Sequence, residues 1–171
     1  MIIHTVENEG RLSNEMVSLL CKQIAHELAN HNLYKTFSLY FSKQGLMKLS
    51  SYYNKRAEEE LNHSNWIFSY LEDNDIFEKY PTVIEITAEI DDFVTPFKLT
   101  LDKEIETTNM IYKIVELAQT EKEWITFNWL MSKLVPEQLE EEKKSKAILN
   151  LANCDTDWLT KQDSILEYYG G

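Results

Sequence analysis

The chain contains four glycines, at positions 10, 45, 170 and 171, and three prolines. Two long segments therefore contain no glycine, the residue that most readily ends a helix or turns a chain. A β-sandwich or a β-barrel needs many tight turns, and this sequence lacks the residues that make them. The composition therefore favours long helices.

Apolar residues recur at helical spacing through both segments. Ser13 or Asn14 can cap the first helix, because short polar side chains accept hydrogen bonds from free amides. The pattern predicts one domain, 1–171, with an arm at 1–12, four long helices in 14–152 and a short fifth helix at 155–169. The long helices are predicted at 14–42, 46–73, 93–121 and 124–152.

The connection at 74–92 is unusually long for a helical protein. In a four-helix bundle one such segment crosses between parallel helices. Within it, residues 82–87 are rich in β-branched side chains. Because a lone strand is marginally stable, we expect this segment to pair, for example with a copy from another subunit. The predicted fold class is an all-α four-helix bundle with a long crossover.

Carboxylates interrupt the apolar stripes of the predicted helices. Glu27, Glu60 and Glu104 each lie in the stripe of a different helix, and the fourth stripe contains Gln138 and Glu141. Any one of these residues alone is most often structural. Together they would bring several acidic groups into one apolar interior, where an unpaired charge costs several kcal/mol. The fourth stripe is Phe127, Met131, Leu134, Gln138, Glu141, Ser145, Ile148 and Ala152.

Glu60 and His63 form a Glu-x-x-His pair, which lies on one helix face. Carboxylate bundles bind iron or manganese with such pairs. A second Glu-x-x-His is absent, so we predict two unequal metal positions bridged by Glu60. The ligands of one would be Glu27, Glu60 and His63; those of the other would be Glu60, Glu104 and Gln138.

Twenty-nine acidic residues against 17 basic ones give a formal charge of −12. This charge disfavours nucleic acid and anionic membranes as partners and suits cations. Cys21 and Cys154 belong to no C-x-x-C motif, which excludes zinc ribbons and rubredoxin-type iron sites. No signal peptide or membrane span is recognisable, and we expect a cytoplasmic protein with two reduced thiols.

The motifs around these residues resemble those of the bacterial non-haem ferritins. The likeness covers about residues 16–152 and is weaker in the tail. Besides Tyr34, it is carried by QIAHEL at 23–28, AEEELNH at 57–63, FSYL at 68–71, TFNWL at 126–130 and VPEQLEEEK at 135–143.

This resemblance implies a ferritin-like fold and a hollow homo-oligomeric shell of twenty-four subunits. It also implies a di-iron ferroxidase centre inside each bundle, without haem, that oxidises Fe(II) with dioxygen or hydrogen peroxide and stores ferric mineral. Tyr34 matches a tyrosine beside that centre. Carboxylates of a possible third iron position are matched by Glu59, Glu137, Glu140 and Glu141.

Two departures from the family pattern concern the alignment of the last two long helices. Between Leu130 and Val135 the chain is one residue longer, which a bulge or kink near Pro136 could absorb. If the extra residue is not absorbed, Gln138 and Glu141 would rotate away from the predicted metal site. In the third helix a second alignment would put Thr107 in place of Glu104, but the apolar stripe favours Glu104.

Neighbouring families fit the residues less well. A bacterioferritin would have a second Glu-x-x-His and a haem-binding methionine where Asn62 stands, and a rubrerythrin would add paired C-x-x-C motifs. A Dps-type mini-ferritin lacks the fifth helix. The functional alternatives are a shell whose impaired centre binds iron passively and a small di-metal protein that scavenges peroxide.

Overall fold

The computed structural model describes residues 10–170, and these fold as a helical bundle without a β-strand. The fourth predicted helix is divided into two segments. Each predicted long helix begins and ends within two residues of its observed bounds. The helices are α1 (Asn14–Lys43), α2 (Met47–Asp73), α3 (Thr95–Thr120), α4 (Trp124–Ser132), α5 (Leu134–Asn153) and α6 (Trp158–Gly170).

Local chemistry sets the hairpin formed by α1 and α2. The Ser13 side chain caps α1 by accepting a hydrogen bond of 3.0 Å from the amide of Met16. Gly45 turns the chain between the two helices with a φ of 76°, a left-handed conformation that favours glycine. The short turn places α1 and α2 side by side over most of their length.

The interior contains two apolar clusters separated along the bundle axis. One lies around Leu20, Ile67 and Ile111, and the other lies around Phe37 and Phe97. On α1, α2, α3 and α5, the buried carboxylates occupy positions between these clusters. The fold therefore places a polar layer in the middle of an apolar bundle.

The fourth helix is interrupted at Lys133, and this changes which residues face the core. In α4 the buried residues are Thr126 and Leu130. Met131 is 43% exposed, so its place in the predicted apolar stripe was wrong, whereas Phe127 is partly buried and packs against the apolar cluster around Leu20. The interruption shifts the register by one residue, and a continuous helical pattern could not anticipate that shift.

Proline explains why the helix stops there. Pro136 has no amide hydrogen, and in a continuous helix its ring would clash with the carbonyl of Ser132. In the structure α4 ends at Ser132, and Pro136 lies in the first turn of α5, where amides need no helical partner. The extra residue is absorbed at Lys133, so Gln138 and Glu141 still face the interior.

Residues 76–90 of the crossover form neither helix nor strand. Ile84 is 78% exposed in the single chain. The predicted pairing of residues 82–87 with another copy stays a prediction. None of the described helices combines the length and apolar character that crossing a bilayer requires.

The two ends of the chain differ in what can be described. Residues 1–9 of the predicted arm lie outside the described residues, whereas Leu12 is buried and Arg11 pairs with Glu123 at 3.0 Å. The C-terminal helix α6 packs against α2 and α5 and buries Ile165.

Removing Lys133 together with Pro136→Ala should leave the protein folded. Without the proline the two segments can join, and deleting the extra residue keeps Leu130 and Leu134 on the same face. We expect the free energy of unfolding to change by less than about 2 kcal/mol, measured by chemical denaturation.

The matched control is deletion of Lys143, an exposed residue inside α5. It should rotate Ile148 and Ala152 by about 100° away from the core. A loss of about 4 kcal/mol or more, or failure to fold, is expected. Equal damage from both deletions would contradict the proposed role of the interruption.

Candidate metal centre

Glu27, Glu60 and His63 form a compact group inside the bundle. One ligand atom from each of them lies within 4.8 Å of those of the other two. Glu27 comes from α1, and Glu60 and His63 come from successive turns of α2. Both carboxylates are 1% exposed. Two oxygens and one imidazole nitrogen at this separation can coordinate one divalent cation.

The surroundings of Glu27 leave part of its charge without a partner. Its Oε1 accepts a hydrogen bond of 2.6 Å from Gln23 Nε2. Its Oε2 is buried, and no donor from residues 10–170 reaches it. Burial and the nearby charge of Glu60 raise the pKa of Glu27 well above its ordinary value. A bound cation would remove the cost of this unpaired oxygen.

Glu60 is held in its charged form by its neighbours. Burial alone would raise the pKa of Glu60, but the imidazole of His63 and the guanidinium of Arg56 lower it to about 2. His63 Nδ1 lies 3.8 Å from Glu60 Oε2. Burial disfavours the charged imidazole, yet Glu60 raises the pKa of His63 above its ordinary value. A metal ion would compete with a proton for this nitrogen.

Glu104 lies on the other side of Glu60, and protein donors surround its carboxylate. Oε1 accepts a hydrogen bond of 2.8 Å from the Tyr34 hydroxyl and also contacts Arg56 Nη2. Oε2 accepts a hydrogen bond of 3.0 Å from Gln138 Nε2. Burial raises the pKa of Glu104, and the Arg56 guanidinium opposes that rise.

Arg56 is the residue that sequence reasoning missed. It is 1% exposed, and its guanidinium lies among the carboxylates of Glu59, Glu60, Glu104 and Glu141. Burial alone would lower the pKa of Arg56, but Glu104 and its neighbours keep it well above its ordinary value. A signal was present, because Arg56 stands four residues before Glu60, on the same face of α2.

Of the carboxylates that the ferritin resemblance assigns to a third iron position, Glu59 and Glu141 contact Arg56, and Glu137 lies 3.9 Å from His63. Glu141 is buried, whereas Glu59, Glu137 and Glu140 are partly or largely exposed. Lys144 Nζ lies 2.8 Å from Glu140 and 3.8 Å from Glu141. Their role in binding a third iron ion stays a prediction.

Thr107, the alternative to Glu104 in the third helix, has other partners. Its hydroxyl donates to the carbonyl of Lys103 and lies 2.8 Å from His26 Nε2. The structure therefore brings Glu104, and not Thr107, next to Glu60 and Gln138.

Comparisons with known proteins agree with this arrangement. Residues 17–154 match the family described as "Ferritin: Ferritin-like domain". A bacterial non-heme ferritin of Staphylococcus aureus is 25% identical over 139 residues, which cover 81% of this chain and 83% of that protein. Its counterpart in Staphylococcus epidermidis is 28% identical over 131 residues, covering 77% and 78%.

Solved structures of ferritins have the same fold as this chain. An open pore ferritin from the hyperthermophilic archaeon Archaeoglobus fulgidus superposes with a TM-score of 0.84 at 29% identity, covering 91% of this chain and 98% of that one. The predicted resemblance to bacterial non-haem ferritins is confirmed. The matched segment includes every helix that contributes to the buried carboxylate layer, and this chain therefore belongs to the ferritin family.

Proposed function

We propose that this protein stores iron in the cytoplasm. Fe(II) binds at Glu27, Glu60 and His63, is oxidised by dioxygen or hydrogen peroxide, and is deposited as ferric mineral inside a shell of twenty-four subunits. The observation that carries this proposal is the buried Oε2 of Glu27, which has no donor among the described residues and faces a second buried carboxylate.

The electrostatics of the group favour oxidation of the bound iron. Each Fe(II) gives up one electron and gains one unit of positive charge. Inside a protein the effective dielectric constant is low, so the attraction between that added charge and buried carboxylates is strong. Glu27 and Glu60 therefore stabilise the ferric product more than the ferrous substrate.

The surface of the single chain suits assembly. Large apolar side chains are exposed on the crossover and on α6, among them Tyr80, Ile84 and Leu159. Exposed apolar groups of this size commonly mark contacts between proteins. Burial against neighbouring copies would remove them from water, and this supports a closed homo-oligomer.

A specific observation favours a second function, a shell that binds iron without oxidising it quickly. The guanidinium of Arg56 lies between Glu60 and Glu104, where the prediction from sequence places the second iron position. A centre with a fixed cation at this place could bind iron and yet react slowly. Oxidation kinetics separate the two functions.

Glu60→Ala should abolish rapid oxidation of Fe(II) in air at a few Fe(II) per subunit. Glu60 lies beside His63 with one oxygen and beside Arg56 with the other. Its loss would remove a ligand of the bound Fe(II). We expect the initial rate of ferric absorbance to fall by about 100-fold or more, the scale on which lost positioning acts.

Glu58→Ala is the matched control, because Glu58 is an exposed carboxylate on the same helix, paired with Lys35. Its rate should match that of the unaltered protein. Equal, slow rates in all three proteins would reject the ferroxidase and leave the passive shell.

Sedimentation velocity should show a single large particle formed from twenty-four copies of the 20.2 kDa chain. Ile84→Lys should shift the distribution toward smaller species, because a charge would then replace an apolar side chain buried between copies. Glu85→Lys, an exposed neighbouring change, is the control. If the unaltered chain sediments as a small species, the result would instead support a small di-metal protein that scavenges peroxide.

Glu27→Gln should stabilise the metal-free protein while weakening metal binding. Glutamine can still accept the hydrogen bond from Gln23, but it lacks the carboxyl group whose ionisation burial disfavours. We expect the free energy of unfolding to rise by about 1 to 3 kcal/mol at pH 7, measured by chemical denaturation with a chelator present.

The sign of the pH dependence follows from the raised pKa of Glu27. Below the ordinary glutamate pKa of about 4.3 the side chain is neutral in both folded and unfolded states. Above it the unfolded state ionises first, and the cost to the native state grows until the raised folded pKa is passed. The advantage of Glu27→Gln should therefore grow as the pH rises from about 4. A constant advantage at all pH values would contradict this account.

A further inference from the structure

We propose that the guanidinium of Arg56 acts as the second cation of the buried carboxylate layer, so that each subunit binds one divalent ion inside the bundle. The inference rests on the proposed function, because it takes Glu27, Glu60 and His63 as the site of that ion. In this proposal the guanidinium of Arg56 occupies the place of the second metal ion that the sequence predicted at Glu60, Glu104 and Gln138.

The contacts of Arg56 place its charge where a second bridged ion would lie. Nη2 contacts Glu104 and lies 3.6 Å from Glu60 Oε1. Nη1 contacts Glu141 and lies 3.3 Å from Glu59 Oε2. The guanidinium therefore lies between carboxylates from α2, α3 and α5. Its planar set of donors suits several carboxylates at once.

The carboxylate of Glu104 already has its partners. Tyr34 and Arg56 contact Oε1, and Gln138 donates to Oε2. The nitrogen of the Gln138 amide, and not its oxygen, faces Glu104, because two oxygens at 3.0 Å would repel each other. In contrast, Glu27 Oε2 has no donor from residues 10–170. Glu60 Oε1 and Glu141 Oε2 also accept no hydrogen bond, but each lies against the Arg56 guanidinium, whereas Glu27 forms no ion pair with a basic side chain of residues 10–170.

The position of Arg56 is fixed by packing as well as by charge. The side chain is 1% exposed, and its central carbon lies 5.4 Å from the centre of the Tyr34 ring. Arginine remains protonated at any physiological pH, so this cation is permanent. The centre therefore holds one Fe(II) at a time, which loses one electron to dioxygen and leaves one Fe(III) and one superoxide.

The test counts Co²⁺, a divalent probe that avoids Fe(II) oxidation. Each protein is dialysed to equilibrium at the same free Co²⁺, and bound metal per subunit is measured by atomic spectrometry. The Glu60→Ala variant serves as the reference for surface sites. The unaltered protein should bind one more Co²⁺ per subunit than this reference.

Arg56→Gln should add a second ion and Arg56→Lys should not. Glutamine removes the charge and keeps polar atoms, whereas lysine keeps the charge. Each is measured against its own double variant with Glu60→Ala. Arg56→Gln should also show a lower melting temperature without metal and a larger rise on adding Co²⁺ than the unaltered protein.

Each outcome decides between distinct conclusions. Two Co²⁺ ions per subunit in the unaltered protein would overturn the role of Arg56 while leaving the proposed metal centre intact. No difference from Glu60→Ala would overturn both the centre and the inference. One ion in both the unaltered protein and a folded Arg56→Gln would show that Arg56 does not set the number. If Arg56→Gln fails to fold, the count in the unaltered protein still decides.

Discussion

The whole bundle is organised around the neutralisation of four carboxylates buried in one layer. Glu27, Glu60, Glu104 and Glu141 lie between two apolar clusters, far from the water that would otherwise screen them. An uncompensated charge in such a place costs several kcal/mol, a large share of the stability of an ordinary domain. The remaining polar residues of the layer reduce this cost: Tyr34, Gln138 and Arg56 on one side, and Gln23 and His63 on the other.

The buried carboxylates can share partners only if each helix places its carboxylate at the same level along the bundle axis. On α1 and α2 the uninterrupted helical repeat is sufficient. On the last long helix the repeat carries one residue too many, and Pro136 cannot lie within a continuous helix. The interruption at Lys133 takes up the extra residue and places Pro136 in the first turn of a new helix. It thereby brings Gln138 to Glu104 and Glu141 to Arg56. A local interruption of the backbone, five residues before Gln138, therefore determines which side chains of α5 enter the layer.

Much of this could be predicted from the sequence, for identifiable reasons. Helix positions followed from the scarcity of glycine, and the group of Glu27, Glu60 and His63 followed from carboxylates within apolar stripes. The predicted apolar stripe was wrong at Met131, because a pattern with one helical period cannot place a register shift. Arg56 was missed for a different reason. A basic residue beside several acidic ones on a helix usually lies at the surface, and only the packing of α3 and α5 against α2 encloses it.

The two halves of the layer differ in what they require, and this difference has consequences for iron exchange. In the half around Glu104, Tyr34, Gln138 and Arg56 contact the carboxylate, and these partners remain when no metal is present. The half around Glu27 gains most from a cation and lies beside His63, whose Nε2 is 3.9 Å from the partly exposed Glu137. A carboxylate that reaches solvent can receive a hydrated ion and pass it to the imidazole beside it. Uptake and release would then be confined to the half of the layer that the protein leaves uncompensated, and Arg56 would keep the other half intact throughout.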